Sequence, residues 1–108
     1  MAIGHEFDGK ASLVVGTHTH VPTADSRILT NGTAFISDLG MCGDYDSIIG
    51  MDKKKALERF KKKTPVKGIH PATGEATLSS VLVELDDETG LAKSIKQIIT
   101  GGCLKEIL

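Results

Sequence analysis

Aromatic side chains are scarce in this sequence, which has no Trp, one Tyr and three Phe among 108 residues. Any core must therefore be built from aliphatic side chains. No apolar run approaches the roughly 20 residues that cross a bilayer, and no secretory leader is expected. Cys42 and Cys103 lie far apart and make neither a Cys-x-x-Cys pair nor a zinc-ribbon pattern. There is no Gly-x-x-x-x-Gly-Lys-Ser/Thr phosphate loop and no Gly-x-Ser-x-Gly nucleophile elbow. The expectation is a reduced, cytoplasmic protein with no membrane partner, in one domain.

What is present is 40% hydrophobic residues, enough for a core, and twelve glycines, enough for many turns. The net charge of −1 conceals an asymmetry. Eight of the thirteen basic residues fall between Lys53 and Lys67, where Glu58 is the single acid. Such a run suits either a footprint for RNA or another polyanion, or the solvated face of a surface helix. The helix reading is favoured, because Phe60 is the one ring in the run. Phe60 also pairs with Leu57 at helical spacing and is expected to be core.

Local signals predict an α/β order. Residues 1–7 read as the end of a helix closed by Asp8-Gly9. Residues 11–16 read as a buried strand. Ile28-Leu29 and residues 33–38 read as two short strands joined through Asn31-Gly32, a strong hairpin signal. Asp52 is a suitable N-cap for a helix over 53–63, ended by Thr64-Pro65. A closing hairpin is expected from residues 77–85, with Val81, Val83 and Leu85 on one face, through the acidic turn 86–90 into residues 91–99.

The candidate chemistry lies where the first strand runs into Thr17-His18-Thr19-His20-Val21-Pro22. Side chains alternate along an extended backbone, so His18 and His20 are expected on one face with Cα atoms about 6.5–7 Å apart. That spacing suits two imidazoles on one metal ion, or one on each ion of a pair about 3.5–4 Å apart. On spacing alone, two exposed or hydrogen-bonded histidines at a strand end are the favoured reading. His5 and His70 stand in no ligand spacing with the pair. Asp38, Asp44 and Asp46 in the glycine-rich loop are either oxygen ligands, acid–base groups or plain turn formers. Cys42 has no base beside it in sequence and reads as an ordinary small residue.

The segment from Val14 to Leu29 closely resembles the last metal-binding motif of the YmdB-type phosphodiesterases, a branch of the calcineurin-like metallophosphoesterases. The resemblance continues through residues 32–46 and 49–52 and resumes at 76–81 and Asp86-Asp87, so it covers essentially the whole chain. It implies the C-terminal portion of a four-layer α-β-β-α sandwich, as a single partial domain over 1–108. It implies a hydrolase acting on a small phosphoester, cyclic nucleotides above all, through two divalent metal ions, with iron or manganese expected. His18 and His20 would be metal ligands, and Asp25 a candidate to orient an imidazole from behind. The family's other ligands, an Asp, a Glu-Asn pair, an Asn-His motif and a further His, have no match here, and His5 does not replace the last. The chain alone is therefore expected to bind metal weakly and turn over almost nothing. Uncovered sheet surface is expected to drive homo-oligomerisation. A non-catalytic module that holds RNA or a protein through the basic helix, and an inactive remnant, are the competing expectations.

Overall fold

The computed structural model describes residues 1–108 and contains two short helices and five strands in two sheets. Helix α1 (Ala2–Glu6) leads into β1 (Leu13–Val15), followed by β2 (Arg27–Ile28) and β3 (Ala34–Ile36). Helix α2 (Lys53–Lys61) precedes a long hairpin of β4 (Leu78–Leu85) and β5 (Ala92–Thr100). No helix is long and apolar enough to cross a membrane.

The first sheet has the order β1-β3-β2. β3 runs parallel to β1 and antiparallel to β2, so it is covered on both edges. Its residues Ala34, Phe35 and Ile36 are all buried, as an apolar run in a central strand should be. Phe35 packs beneath α1 at Gly4, where a Cβ would come within 2.6 Å of the ring, and the Arg27 guanidinium lies 5.1 Å from the ring centroid. Thr33 ties the α1–β1 turn to β3: its Oγ1 accepts from the Gly9 amide at 2.8 Å and donates to the Ala11 carbonyl at 2.6 Å.

The hairpin expectations rest on turn chemistry, and both turns form at the expected residues. Gly32 takes φ +103° and its amide closes on the Leu29 carbonyl at 3.0 Å. At the other hairpin, Gly90 takes φ +72° and bonds back to the Asp86 carbonyl at 2.7 Å. The Asp86 carboxylate accepts from the Glu88 and Thr89 amides, which pulls its pKa down. Val81 and Val83 share a face with Ser79 and, across the ladder, with Ile95, Gln97 and Ile99. This face meets the first sheet, with the Gln97 amide donating to the Thr23 carbonyl at 2.9 Å. Leu85 departs from it, because a bulge between Glu84 and Leu85 shifts the register and leaves Leu85 exposed.

Three further expectations need correcting. The first strand is shorter than 11–16 and is not fully buried, since Val15 at its end is exposed. Asp52 does cap α2, accepting from the Lys55 amide at 3.2 Å, but the helix ends at Lys61, before Thr64-Pro65. Phe60 is not core. It is 88% exposed, and α2 buries none of its residues: Phe60 only lines an open apolar groove with Ile48, Ile49 and Met51.

The chain is thin. Ten of its 108 residues are buried, the extents are 55 × 28 × 17 Å, and the Cα radius of gyration is 17.2 Å. A compact chain of about this length would have about 13 Å. Apolar side chains such as Leu78 and Leu82 are left on the open face of the hairpin.

Gly16 shows how tightly the small core is drawn. Its amide and carbonyl bond to Ile36 and Leu39, and a Cβ there would overlap the Ser37 carbonyl. Gly16→Ala is expected to cost about 3 kcal/mol, the upper end of overpacking effects, because a backbone atom cannot swing aside. Urea unfolding of the two proteins measures this.

Candidate functional site

β1 and β3 are parallel, so their carboxyl ends lie side by side, the usual place for a binding crevice in such sheets. The chain leaves β1 at Gly16 and crosses this end as a loop over residues 17–22. It rejoins the sheet where Pro22 pairs with Leu39 and the Thr23 amide meets the Asp38 carbonyl at 3.0 Å.

The loop is held by Asp38, the second residue after β3. One carboxylate oxygen accepts from the amides of His18 (2.8 Å) and Thr19 (2.6 Å) and from the Thr19 hydroxyl (2.8 Å). The other accepts from the Gly40 amide at 2.8 Å. The amides of Thr19 and Gly40, helped by the Thr19 hydroxyl and the His18 amide, outweigh the cost of burial and hold this carboxyl well below the usual carboxylate range. Asp38 thus does join the histidine loop, but through its backbone, as a post rather than as an acid or base.

His18 and His20 line one concavity of about 350 Å³ together with Thr17, Gly40 and Met41. They do so without the expected strand alternation, because β1 ends at Val15 and His20 adopts φ +69°. The His20 Nδ1 lies 3.0 Å from the carbonyl oxygen of Ile49. A carbonyl only accepts, so this contact is a hydrogen bond in the tautomer with its proton on Nδ1, whose neutral ring keeps its lone pair on Nε2. Ile49 is itself at φ +48°, and these two are the chain's non-glycine residues with positive φ. Each such backbone costs on the order of 1–3 kcal/mol and persists where its surroundings dictate it. Gly40, at φ +77°, also lines this concavity, and a Cβ there would strike the Tyr45 hydroxyl and Pro22.

The donor set is partial. Two imidazoles on one concavity fit as part of a metal's ligand shell, and a free Nε2 on His20 suits that use. No three His, Cys, Asp or Glu side chains come together to hold an ion, whereas catalytic zinc sites usually have three protein ligands. Asp44 and Asp46 stand away from the histidines: Asp44 accepts from the amides of Asp46 and Gly74, and Asp46 pairs with Lys53 at 2.6 Å. Asp25 does not orient an imidazole. Its carboxylate takes hydrogen bonds from Thr23 and from the Ser37 amide and hydroxyl, and pairs with Arg27 at 3.6 Å. Burial pushes the Asp25 pKa up, but the Ser37 and Thr23 bonds prevail and bring it down to about 2.

Sequence reasoning misses Ile49, which acts through a backbone carbonyl, and Thr19, which ties the loop to Asp38. Cys42 and Cys103 are free thiols, and Cys42 faces only the Ser79 carbonyl, at 3.6 Å. Along the basic run, Lys53 pairs with Asp46, while Lys55 and Lys62 pair with Glu58.

Residues 1–98 match the family model described as YmdB-like protein. The chain is 52% identical over 99 residues to the 2',3'-cyclic-nucleotide 2'-phosphodiesterase of Bacillus subtilis (strain 168), covering 92% of this chain and 37% of that one. It superposes on a hypothetical protein from Thermus thermophilus with a TM-score of 0.85 and 37% identity, over 95% of this chain and 40% of the other. A novel phosphatase from Mycoplasma pneumoniae gives a TM-score of 0.84 and 34% identity, over 93% and 36%. The chain spans about a third of the length of the curated relatives it matches.

Asp25 and Asp38 make acid stability a readout of this architecture. Both carboxyls titrate lower when folded than the ordinary unfolded value of about 3.9. Their stabilisation is present above pH about 4 and is lost as pH falls toward 2 and below. Asp38→Asn is expected to lower the unfolding temperature at neutral pH and to flatten its decline between about pH 4 and 2. Thermal melts across that range check both effects.

Proposed function

Because this chain belongs to the YmdB-like family, we propose that it is the histidine-bearing portion of a metal-dependent phosphodiesterase acting on cyclic nucleotides. The observation that carries this reading is the pair His18 and His20 on one concavity, with the His20 Nδ1 committed to Ile49 and its Nε2 free to ligate. In this reading the two sheets are part of a four-layer α-β-β-α sandwich, and the two imidazoles join ligands from outside the chain around two divalent ions, iron or manganese. Such ions supply Lewis acidity that activates water and offsets charge on the phosphoester. The chain's own part is to present two nitrogen donors on a loop that Asp38 holds still.

Open apolar surface on a thin body gives this chain a reason to self-associate. Light scattering at micromolar concentration should give a mass above the monomer's 11.5 kDa. A clean monomer would count against it.

Function is tested by reassembly. With manganese and 2',3'-cyclic AMP, the chain alone should show negligible turnover. Fused to the part of the Bacillus subtilis relative that it does not match, it should hydrolyse the substrate. His18→Ala or His20→Ala should each then lower kcat/KM by more than about 100-fold, beyond the usual effect of losing an outer partner. Undiminished turnover in both variants would overturn the proposal.

A further inference from the structure

The two strained residues of this chain are joined to each other. His20 at φ +69° and Ile49 at φ +48° meet through the 3.0 Å contact of the imidazole Nδ1 with the Ile49 carbonyl. A β-branched residue in the left-handed region is a genuine outlier. Here the surroundings account for it. The Ile48 and Met51 backbones exchange two hydrogen bonds, at 3.0 and 2.9 Å. Between them, the Gly50 amide donates to Ser47 Oγ at 2.9 Å and the Gly50 carbonyl accepts from Ala72 at 2.9 Å. Gly50 itself takes φ +90°. The Ile49 side chain stands in the wall of an apolar groove with Ile48, Met51 and Phe60, and it is 57% exposed, so packing does not explain its conformation. The turn is braced on all sides, and the group it delivers is a carbonyl.

We propose that the Ile48–Met51 turn is a positioning device for His20, whose Ile49 carbonyl fixes the imidazole proton on Nδ1 and turns the Nε2 lone pair to the concavity. Ile49 acts through the ring, which makes it a positioning residue. An imidazole ligand is commonly set in this way, by a hydrogen bond on the nitrogen that does not bind the metal. The use of Nε2 for a metal rests on the function proposed above; the assignment of the tautomer does not.

The unmodified, metal-free chain tests the tautomer directly. Ring 15N shifts recorded near pH 8, above the ordinary imidazole range, should show His20 with a protonated Nδ1 and a bare Nε2, in contrast to His5, whose ring has no hydrogen-bond partner. A proton on Nε2 of His20 would overturn the proposal. Added Zn2+ should then shift His20 Nε2 while Nδ1 keeps its proton. An unmoved Nε2 would overturn the metal reading and leave the tautomer assignment standing.

Two variants test the turn. Ile49→Pro cannot hold a positive φ, so it should scramble the tautomer and weaken Zn2+ binding by about 10–100-fold. Retention of both would overturn the role of the carbonyl. Ile49→Gly can keep the turn and should retain the tautomer. If Ile49→Pro does not fold, the glycine variant and the parent spectrum decide: loss of the Nδ1 proton in a folded glycine variant would also overturn the proposal.

Discussion

Everything at the carboxyl end of the first sheet depends on one carboxylate. Asp38 follows β3 by two residues and receives the His18, Thr19 and Gly40 amides. These amides belong to loops that no strand ladder satisfies, and a buried amide without a partner is costly. A charged acceptor satisfies them together, in stronger bonds than a neutral group would make. The loop from β1 and the loop from β3 are thereby fixed to each other. The cavity between them has walls because Asp38 stands behind both.

On that footing the backbone strain at His20 makes sense. An extended continuation of β1 would send His18 and His20 to one side by simple alternation. The chain instead bends over residues 18–20, past a Gly16 still bonded to Ile36 and Leu39, and the two rings reach one concavity. The bend places His20 in the left-handed region and within reach of a carbonyl from a segment 29 residues away. Local preference has yielded here to a long-range contact, and sites that do chemistry are where such concessions collect.

That distinction also decides how much can be read from the sequence. Asn31-Gly32, Asp52 and the 86–90 turn act on their own neighbours, and each is legible as local chemistry. The His pair is legible too, as residues, with its family resemblance. Its geometry is not, because alternation holds only while a strand continues, and β1 stops at Val15. Phe60 misleads for the same reason: helical spacing sets which side of α2 it shares with Leu57, but only another element can bury that side. Asp25 looks like a partner for a histidine from its place in the motif, whereas Ser37 and Thr23 lie nearer and take its oxygens. The Ile49 carbonyl has no side-chain signature at all.

The pinning of residues 17–23 has a consequence for how related chains can differ in length. Amides at His18, Thr19 and Thr23 and the bridge at Pro22 all reach fixed points on β3 and its extension. One inserted or deleted residue would put at least part of this set out of register. Residues 63–67, between α2 and the next paired segment, make no hydrogen bond with the rest of the chain and lie largely at the surface. Gains and losses of sequence during divergence belong there, while the stretch from Gly16 to Thr23 must keep its count.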